Sequence, residues 1–312
     1  MPELAAKEIM LKASLPIHVA FALDRRFLGY TAVAAASAAI ATNNLHVHVL
    51  HGDDLGDGAD RLTTLIEHYG GTPHFYAVDQ ARLANMPVSG HVTLATYFRL
   101  SIAELLPKHV SKVIYLDGDL IVRRSLDELY GFSTGDYGIA AVPEPHAHAI
   151  NRLGLLSGSP YLNAGVLLLD VDRWRQGSYT SQLCEAALAM SSRLQFWDQD
   201  LLALFFQNKW AFLPTHWNVH HRYFFGENRL PLPTDEPAIV HFSGAGLKPP
   251  DYRVLHPYAD EFWSFAKLVG RFGLNPQTNA GWKLWGRQFR LWRSQLSGES
   301  HAKYEHNSRI AS

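Results

Sequence analysis

Short apolar runs alternate with helical patterns along the first 105 residues of the chain. The strand-like runs cover residues 17–23, 45–50 and 74–78, and the helical patterns cover residues 27–41, 62–69 and 93–105. Such an alternation predicts a mostly parallel sheet with helices on both faces. After about residue 140, prolines become frequent and the pattern is less regular, which predicts longer connections in this half of the chain.

The next apolar run, VIYLDGDLIV at residues 113–122, contains two aspartates, Asp117 and Asp119. If this run includes a buried parallel strand, residues 113–116 belong to the sheet and Asp117 falls at its carboxyl end, where open α/β sheets bind ligands. Carboxylates in so apolar a setting need a partner. We therefore expect a ligand or a metal at this position.

Composition limits the function classes. The chain has 312 residues, of which 47% are hydrophobic and 18% charged, so it is long enough to bury a large core. A net charge of −1 gives no general reason to expect a nucleic-acid partner. The single cysteine, Cys184, excludes an internal disulfide framework. The sequence shows no signal segment, and its apolar stretches are shorter than the roughly 20 residues needed to span a membrane. We expect a cytoplasmic protein.

Charge is distributed unevenly along the chain. Residues 266–312 contain eight Lys or Arg against two Glu, a net of +6, which leaves −7 for residues 1–265. We therefore predict a domain over residues 1–265 and a basic, helical C-terminal extension over residues 266–312. Within the extension, GWKLWGRQFRLWR at residues 281–293 has tryptophans and a phenylalanine on one helical face. This segment fits peripheral contact with the inner membrane face and docking on the domain equally well.

Three classes of protein could account for the aspartate pair. Hydrolases that form an aspartyl phosphate usually place the pair early in the domain and have a second acidic site later, which this sequence lacks. A phosphate-binding GxxxxGK[ST] loop is also absent from the sequence. The third class is a metal clamp on a nucleotide diphosphate, in which Mg²⁺ or Mn²⁺ bridges two phosphates.

Companion motifs favour the metal clamp. They are FALDRRF (21–27), TYFRL (96–100), YLDGDLIV (115–122), YLNAGVLLLD (161–170), WDQDLL (197–202) and HFSGAGLKPP (241–250). In this order they resemble the family 8 retaining glycosyltransferases, which include bacterial lipooligosaccharide galactosyl- and glucosyltransferases and glycogenin. The resemblance covers residues 17 to about 250 and implies a single GT-A-like α/β domain.

The resemblance also implies roles for individual residues. Asp117, Asp119 and His241 would bind the metal, and Asp198 and Gln199 would lie beside the transferred sugar as catalytic residues. The other expected residues would contact the UDP-sugar. Its uracil would meet Ala22, Asp24 and Phe27, and its diphosphate would meet Gly244 and Lys248. The donor sugar and diphosphate would lie near Arg99, and the rest of the nucleotide-sugar site would be formed by Gly118, Asn163, Ala164 and Gly165.

Two departures from the family pattern matter. One extra residue separates His241 from Lys248, and Pro250 stands where tryptophan is common, so Lys248 is expected slightly off its usual position. Arg25 and Arg26 replace a small polar residue after Asp24 and are expected to add a phosphate or base contact.

The chemistry of these residues agrees with the implied reaction. A mixed set of two carboxylates and one imidazole suits Mn²⁺, or else Mg²⁺. The metal and Lys248 would stabilise the charge on departing UDP. The sugar would pass through an oxocarbenium-like state. Because glutamine is a poor nucleophile, we favour attack on the same face, assisted by the leaving phosphate, over a covalent glycosyl-enzyme.

We therefore expect metal-dependent, retaining transfer of a hexose, galactose or glucose, from a UDP-sugar to an acceptor hydroxyl, with lipopolysaccharide or another glycan as the acceptor to test first. Two alternatives stay open. A displaced Lys248 would leave a non-catalytic UDP-sugar-binding protein, and a nucleophilic Asp117 would make the chain a phosphohydrolase.

Two other features could suggest metal sites. Histidines occur at 46, 48 and 51, at 146 and 148, and at 220 and 221, but neither a cysteine pair nor a fourth ligand at zinc spacing follows. We interpret them as structural or acceptor-side residues. The GDDLGDG segment at residues 52–58 lacks the calcium-loop pattern and is predicted to be a loop.

Overall fold

The structure, a computed structural model, describes residues 15–52, 54–90, 92–156, 158–225, 229–244, 248–249, 256–270 and 272–274. Its strands are β1 (Ile17–Leu23), β2 (Leu45–His51), β3 (Thr72–Ala77), β4 (Lys112–Leu116), β5 (Leu120–Val122), β6 (Ile139–Pro143), β7 (Leu162–Asp170), β8 (Ala211–Phe212), β9 (Val219–His220) and β10 (Ile239–His241).

The α-helices are α1 (Leu28–Ala41), α2 (Asp57–His68), α3 (Ile102–Leu105), α4 (Asp127–Gly131), α5 (Ala147–Leu153), α6 (Val171–Gln176), α7 (Tyr179–Ala189), α8 (Trp197–Phe205) and α9 (Ala259–Leu268). Turns of 3₁₀-helix cover Arg25–Phe27, Gln80–Leu83, Leu94–Ser101, Ser191–Arg193, Thr215–Trp217 and His221–Tyr223.

A seven-stranded sheet forms the centre of the molecule, in the order β3-β2-β1-β4-β7-β6-β8. β1 pairs in parallel with β2 and β4, and the β2–β3 and β6–β8 pairs are also parallel, whereas β7 runs antiparallel to β4 and β6. The predicted mostly parallel α/β sheet is therefore confirmed. A second, three-stranded sheet has the order β5-β10-β9.

The core has two parts, one on each face of the main sheet. Alternate side chains of β1 show the division: Val19 and Phe21 pack with α1, α2, α9 and the small sheet, whereas Ala20 packs with the segment 94–105 and helices α6 to α8. Period-two alternation in a strand covered on both faces explains why β1 is apolar almost throughout.

Three element predictions differ from the structure. The apolar run 113–122 is two strands in different sheets, because the chain turns at Asp117–Asp119 and β5 pairs with β10. Helix α2 begins at Asp57, five residues before the predicted start, so the end of the GDDLGDG segment is helical rather than loop. The helix predicted over 93–105 is mostly 3₁₀, with one α-turn at its end.

Helix α9 is the last helix among the residues that the structure describes. It runs across the predicted boundary at residue 265 and buries Phe262 and Ala266 completely. The boundary itself stays a prediction, and the basic segment 281–293 lies outside the described residues. Among the helices that are described, none has the length and apolar character needed to cross a membrane.

Candidate active site

Asp117, Asp119 and His241 converge where the two sheets meet. Asp117 follows β4, and its amide N–H donates to the carbonyl of Gly165 on β7 at 2.9 Å. The β5–β10 register places His241 opposite Leu120, next to Asp119. The Nε2 atom of His241 consequently lies 3.5 Å from Oδ2 of Asp117 and 3.3 Å from Oδ1 of Asp119.

This group fits a divalent metal. One ligand atom from each of the three residues lies within 4.8 Å of the other two, and no other such group of three converges within the described ranges. Asp119 and His241 are buried, whereas Asp117 is half-buried, which leaves one side open to a ligand. Two carboxylate oxygens and an imidazole nitrogen are a donor set that suits Mn²⁺ or Mg²⁺.

Lys248 lies at the same carboxylates. Its ammonium group pairs with Oδ2 of Asp119 and lies 5.5 Å from the ring centre of Phe27. Burial alone would raise the pKa of Asp119, but Lys248 and His241 together hold that pKa well below its ordinary value. The extra residue before Lys248 therefore does not keep it away from the aspartate pair.

Arg99 joins the aspartate pair to the predicted catalytic residues. Its guanidinium donates to Oδ1 of Asp117 at 2.9 Å and to the carbonyl of Ala164 at 2.7 Å, and Nε lies 3.0 Å from Oδ2 of Asp198. It also stacks on Tyr115, 4.2 Å from the ring centre. Arg99 is only 6% exposed, so it neutralises two carboxylates that burial would otherwise make costly.

Asp198 and Gln199 lie in the first turn of helix α8, with Asp198 beside this arginine. Burial raises the pKa of Asp198 to about 6, helped by the charge of Asp117 and opposed by Arg99 and by the hydroxyl of Thr96, which donates to the carboxylate. Gln199 accepts a hydrogen bond from the Ala164 N–H at 3.0 Å. Asp198 is thus held by Arg99, and Gln199 by Ala164, whose carbonyl also accepts from Arg99.

Asp200 anchors the turn that leads into α8. Its Oδ2 accepts from the N–H groups of Gln195 and Phe196, both at 2.7 Å, and its Oδ1 accepts from Tyr161 at 2.7 Å. The residue between this turn and Asp198 is Trp197, which has a φ of 42°, an unfavourable value for a large side chain. The buried carboxylate holds this strained turn in place and so fixes Asp198 and Gln199.

A buried polar chain, which sequence reasoning did not find in full, extends from His241. Asn218 links His241 to Asn163, and Asn163 links to Glu144. Glu144 has a signal in the sequence, because like Asp117 it directly follows an apolar strand. Asn218 has none, since it is a lone amide between two apolar residues in an irregular part of the chain.

The residues predicted to bind the nucleotide lie around the end of β1. Asp24 caps the turn Arg25–Phe27 through the N–H groups of Arg26 and Phe27, and it accepts from Thr93 at 2.8 Å. Arg26 pairs with Asp24 at 3.0 Å, and its side chain is largely exposed.

Glycines and an alanine complete the predicted set. A Cβ atom at Gly118 would meet Oγ1 of Thr31 at 2.5 Å and the Phe27 ring at 3.6 Å, so the turn between the aspartates packs tightly beside Phe27. Gly244 has a φ of 95°, which favours glycine. Ala22 is a partly exposed residue of β1, two positions before Asp24.

The first histidine group lies near the amino ends of the parallel strands, away from the aspartates. Nδ1 of His18 is 2.9 Å from Nε2 of His48, and Nδ1 of His46 is 3.1 Å from Nε2 of His74. His48 also contacts the hydroxyl of Tyr76 at 3.0 Å. These imidazoles hydrogen-bond in pairs across β1, β2 and β3, which agrees with their interpretation as structural.

Comparison with known proteins gives a consistent family. The family model for glycosyl transferase family 8 matches residues 18–252. The chain is 28% identical to the lipopolysaccharide 1,3-galactosyltransferase of Salmonella typhimurium over 285 residues, covering 84% of this chain and 82% of that protein. It is 26% identical to general stress protein A of Bacillus subtilis over 253 residues, covering 77% of this chain and 88% of that protein.

A solved structure gives the same picture. The chain superposes on the galactosyltransferase LgtC, solved in complex with donor and acceptor sugar analogs, with a TM-score of 0.72 and 26% identity. The match covers 84% of this chain and 98% of that one. The fold described above is therefore GT-A-like, as in LgtC.

Proposed function

Because the chain belongs to glycosyltransferase family 8, we propose that it transfers a hexose, galactose or glucose, from a UDP-sugar to an acceptor hydroxyl in a metal-dependent reaction that retains the anomeric configuration. One observation carries this proposal: the convergence of Asp117, Asp119 and His241, with Arg99 pairing with both Asp117 and Asp198.

The chain's own residues supply the electrostatics of the reaction. Asp117, Asp119 and His241 would hold Mn²⁺ or Mg²⁺, which when bound neutralises charge on the diphosphate of the leaving group. Lys248, now paired with Asp119, adds a second positive charge where UDP would depart. Phe27, close to this ammonium group, supplies an aromatic face for the uracil.

The way the two carboxylates are held bears on the route that a retaining transfer would take. Oδ1 of Asp117 accepts from Arg99 and Tyr115, both at 2.9 Å, and Asp198 is held by Arg99 and Thr96. A carboxylate engaged by a guanidinium is a weak nucleophile, so neither is well suited to form a covalent adduct. We therefore favour same-face attack by the acceptor, assisted by the leaving phosphate, with Asp198 and Gln199 positioning the sugar.

The acceptor is proposed from the named relatives. The Salmonella protein is a lipopolysaccharide galactosyltransferase and the Escherichia coli protein WaaO is a lipopolysaccharide glucosyltransferase. A lipopolysaccharide core or a related glycan is therefore the acceptor to test first. We further propose a cytoplasmic location, with residues 281–293 as a peripheral contact to the inner membrane face, because this segment combines aromatic and basic side chains.

The test is release of UDP from UDP-glucose, UDP-galactose and their N-acetyl forms, with Mn²⁺ and with EDTA. We expect metal-dependent release from one of the hexose donors, lost in Asp119→Asn. The matched control is Asp170→Asn, another aspartate at a strand end, which caps α6 at the far end of β7.

Each other outcome has a defined meaning. Donor binding without release, even with acceptor, would favour a non-catalytic UDP-sugar-binding protein. An aspartyl phosphate on Asp117 would identify a phosphohydrolase. A glycosyl adduct on Asp198 or Gln199 in intact-mass spectra would replace same-face attack by a covalent mechanism.

A further inference from the structure

The direction of each hydrogen bond in the buried polar chain follows from one backbone group. The N–H of Gly165 points at a side-chain atom of Asn163 at 2.9 Å, and because a backbone N–H only donates, that atom must be the amide oxygen Oδ1. The NH₂ group of Asn163 then faces Oε2 of Glu144 at 2.8 Å, where a carboxylate accepts it.

The same logic fixes Asn218 and then His241. The Oδ1 atom of Asn163 cannot donate, so the Asn218 atom 2.7 Å from it must be the NH₂ group. The carbonyl oxygen of Asn218 therefore faces Nδ1 of His241 at 3.1 Å, and Nδ1 must carry a proton. In the neutral ring, the lone pair is then on Nε2, the atom that faces Asp117 and Asp119.

The buried polar chain that starts at His241 ends on a buried anion, Glu144. Glu144 is 5% exposed, and although burial opposes its ionisation, His220, Asn163 and Arg222 together hold its pKa below the ordinary value. Arg222 contributes a donor at 3.2 Å. All three donors of the chain, on His241, Asn218 and Asn163, point towards this negative charge, so the charge polarises each bond in the same sense.

Glu144 also faces the predicted catalytic residue. The Oε1 atom of Gln199 accepts from the N–H of Ala164, so its NH₂ group is the one that faces Oε2 of Glu144, at 3.5 Å. One carboxylate thus orients both Gln199 and, through two amides, His241.

We propose that Asn218 and Glu144 are positioning residues of the metal site: together with Asn163 they hold the imidazole of His241 with its proton on Nδ1 and its lone pair on Nε2. This inference deepens the proposed function, because the metal it serves belongs to that function. Neutral imidazole in water favours the opposite tautomer, with the proton on Nε2. A metal-binding histidine needs a hydrogen-bond partner on its other ring nitrogen. The polar chain supplies this partner at Nδ1 of His241, so Nε2 is available to the metal without a change of tautomer.

The tautomer can be measured without metal. Long-range ¹⁵N–¹H correlation spectra of the metal-free, ¹⁵N-labelled full-length protein distinguish the two ring nitrogens, and the His241 signals are those missing in His241→Gln. We expect a protonated Nδ1 in the wild type and a loss of this pattern in Asn218→Leu. An Nδ1 atom of His241 without a proton in the wild type would overturn the proposal.

Metal affinity provides the second readout. Free Mn²⁺ measured by electron paramagnetic resonance should show binding that is about 10–100-fold weaker in Asn218→Leu. Glu144→Gln should weaken binding in the same direction by a smaller factor, although Glu144 makes no described contact with the three ligands. Thr180→Val is the control, because this buried hydroxyl bonds to the Leu100 carbonyl outside the site and its loss should leave Mn²⁺ binding unchanged.

The outcomes separate this proposal from the proposed function. If the wild type binds no Mn²⁺ but shows the Nδ1 proton, Mn²⁺ is excluded as the metal of the proposed function, and the positioning of His241 stands. If the wild type binds Mn²⁺ and folded Asn218→Leu binds it equally well, the positioning role is wrong. If Asn218→Leu does not fold, the wild-type tautomer and the Glu144→Gln affinity still decide.

Discussion

Gly165 lies against the imidazole of His241, where a side chain would not fit. A methyl group at this position would overlap Cε1 and Nδ1 of the ring. Because Nδ1 is also held by Asn218, the ring can make room only by leaving its hydrogen bond and turning Nε2 away from the aspartates. We expect Gly165→Ala to weaken Mn²⁺ binding by roughly tenfold or more, measured by electron paramagnetic resonance.

The control for this prediction is Gly131→Ala at the end of α4, where a Cβ atom would meet nothing within 4 Å. It should leave Mn²⁺ binding unchanged. Equal affinity of Gly165→Ala and the wild type would show that the ring does not need its present orientation.

Arg99 is the one side chain that contacts both Asp117 and Asp198 within the described residues. Removing it would leave the buried carboxylate of Asp198 and the half-buried one of Asp117 without this counter-charge, so Arg99→Met should cost about 3–5 kcal/mol of unfolding free energy. The loss should depend on pH. The folded-state pKa of Asp198, about 6, already lies above its ordinary value of 3.8 and would rise further without Arg99.

The sign of this dependence follows from proton binding. A carboxyl group with a raised folded-state pKa stabilises the fold when it is protonated, and that contribution is lost as the pH rises through the folded-state pKa. Urea unfolding should therefore show a larger deficit of Arg99→Met against the wild type at pH 8 than at pH 5. Arg82→Met, which removes an exposed pair with Glu104, should cost about 0–1 kcal/mol at most; a similar loss in both variants would contradict the argument.

Single residues also show what the sequence could reveal of the site. Asp117 and Asp119 stand out because they interrupt an apolar run, and His241 is found through the motif order that the family resemblance supplies. Asn218 could not be found, because its role depends on contacts with residues 55 and 23 positions away along the chain. No local pattern contains such information.

At the scale of elements, the strands were the most predictable part. β1 was predicted with the observed limits and β2 within one residue, since apolar runs between turn-forming residues identify buried strands. The break between β4 and β5 was not predicted, because both halves are equally apolar and the change of sheet depends on pairing with β10, more than 100 residues later. The pairing that brings His241 to Asp119 is thus a tertiary property.

The histidines of β1, β2 and β3 make this sheet edge sensitive to acid. Burial and the neighbouring imidazoles lower the pKa of His48 to about 2 and that of His18 to about 4, from 6.5. In the unfolded chain both would take up a proton near pH 6.5. Their contribution to stability is therefore present above pH 6.5 and is lost as the pH falls below it, by about 1.4 kcal/mol per unit for each histidine.

His48→Gln tests this prediction, since an amide can still contact His18 and Tyr76 but does not titrate. Urea unfolding at pH 7.5 and 5.5 should show that the variant loses about 1.4 kcal/mol less than the wild type over this interval. His68→Gln, at an exposed histidine outside the group, should lose as much as the wild type. An unchanged acid loss in His48→Gln would mean that His48 is not neutral in the fold.

For the whole molecule, the question is where the folded domain ends. Helix α9 lies across the predicted boundary at residue 265, and its Phe262 ring contacts Phe242, directly after His241, with centroids 5.3 Å apart. Glu261 of the same helix pairs with Arg123 at 2.9 Å. The charge pattern located the basic extension but not these apolar contacts, which make α9 part of the core beneath the site.

Two shortened chains test this arrangement and the membrane proposal together. A chain ending at residue 274 keeps α9 and should unfold at the temperature of the full chain. A chain ending at residue 258 loses the buried Phe262 and Ala266 and should be strongly destabilised, since one buried phenylalanine alone is worth about 3–5 kcal/mol.

The chain ending at residue 274 also lacks residues 281–293. It should therefore release UDP from the donor as fast as the full chain but sediment less with anionic vesicles. Equal sedimentation would favour docking of that segment on the domain, and a lower unfolding temperature of the same chain would support it independently.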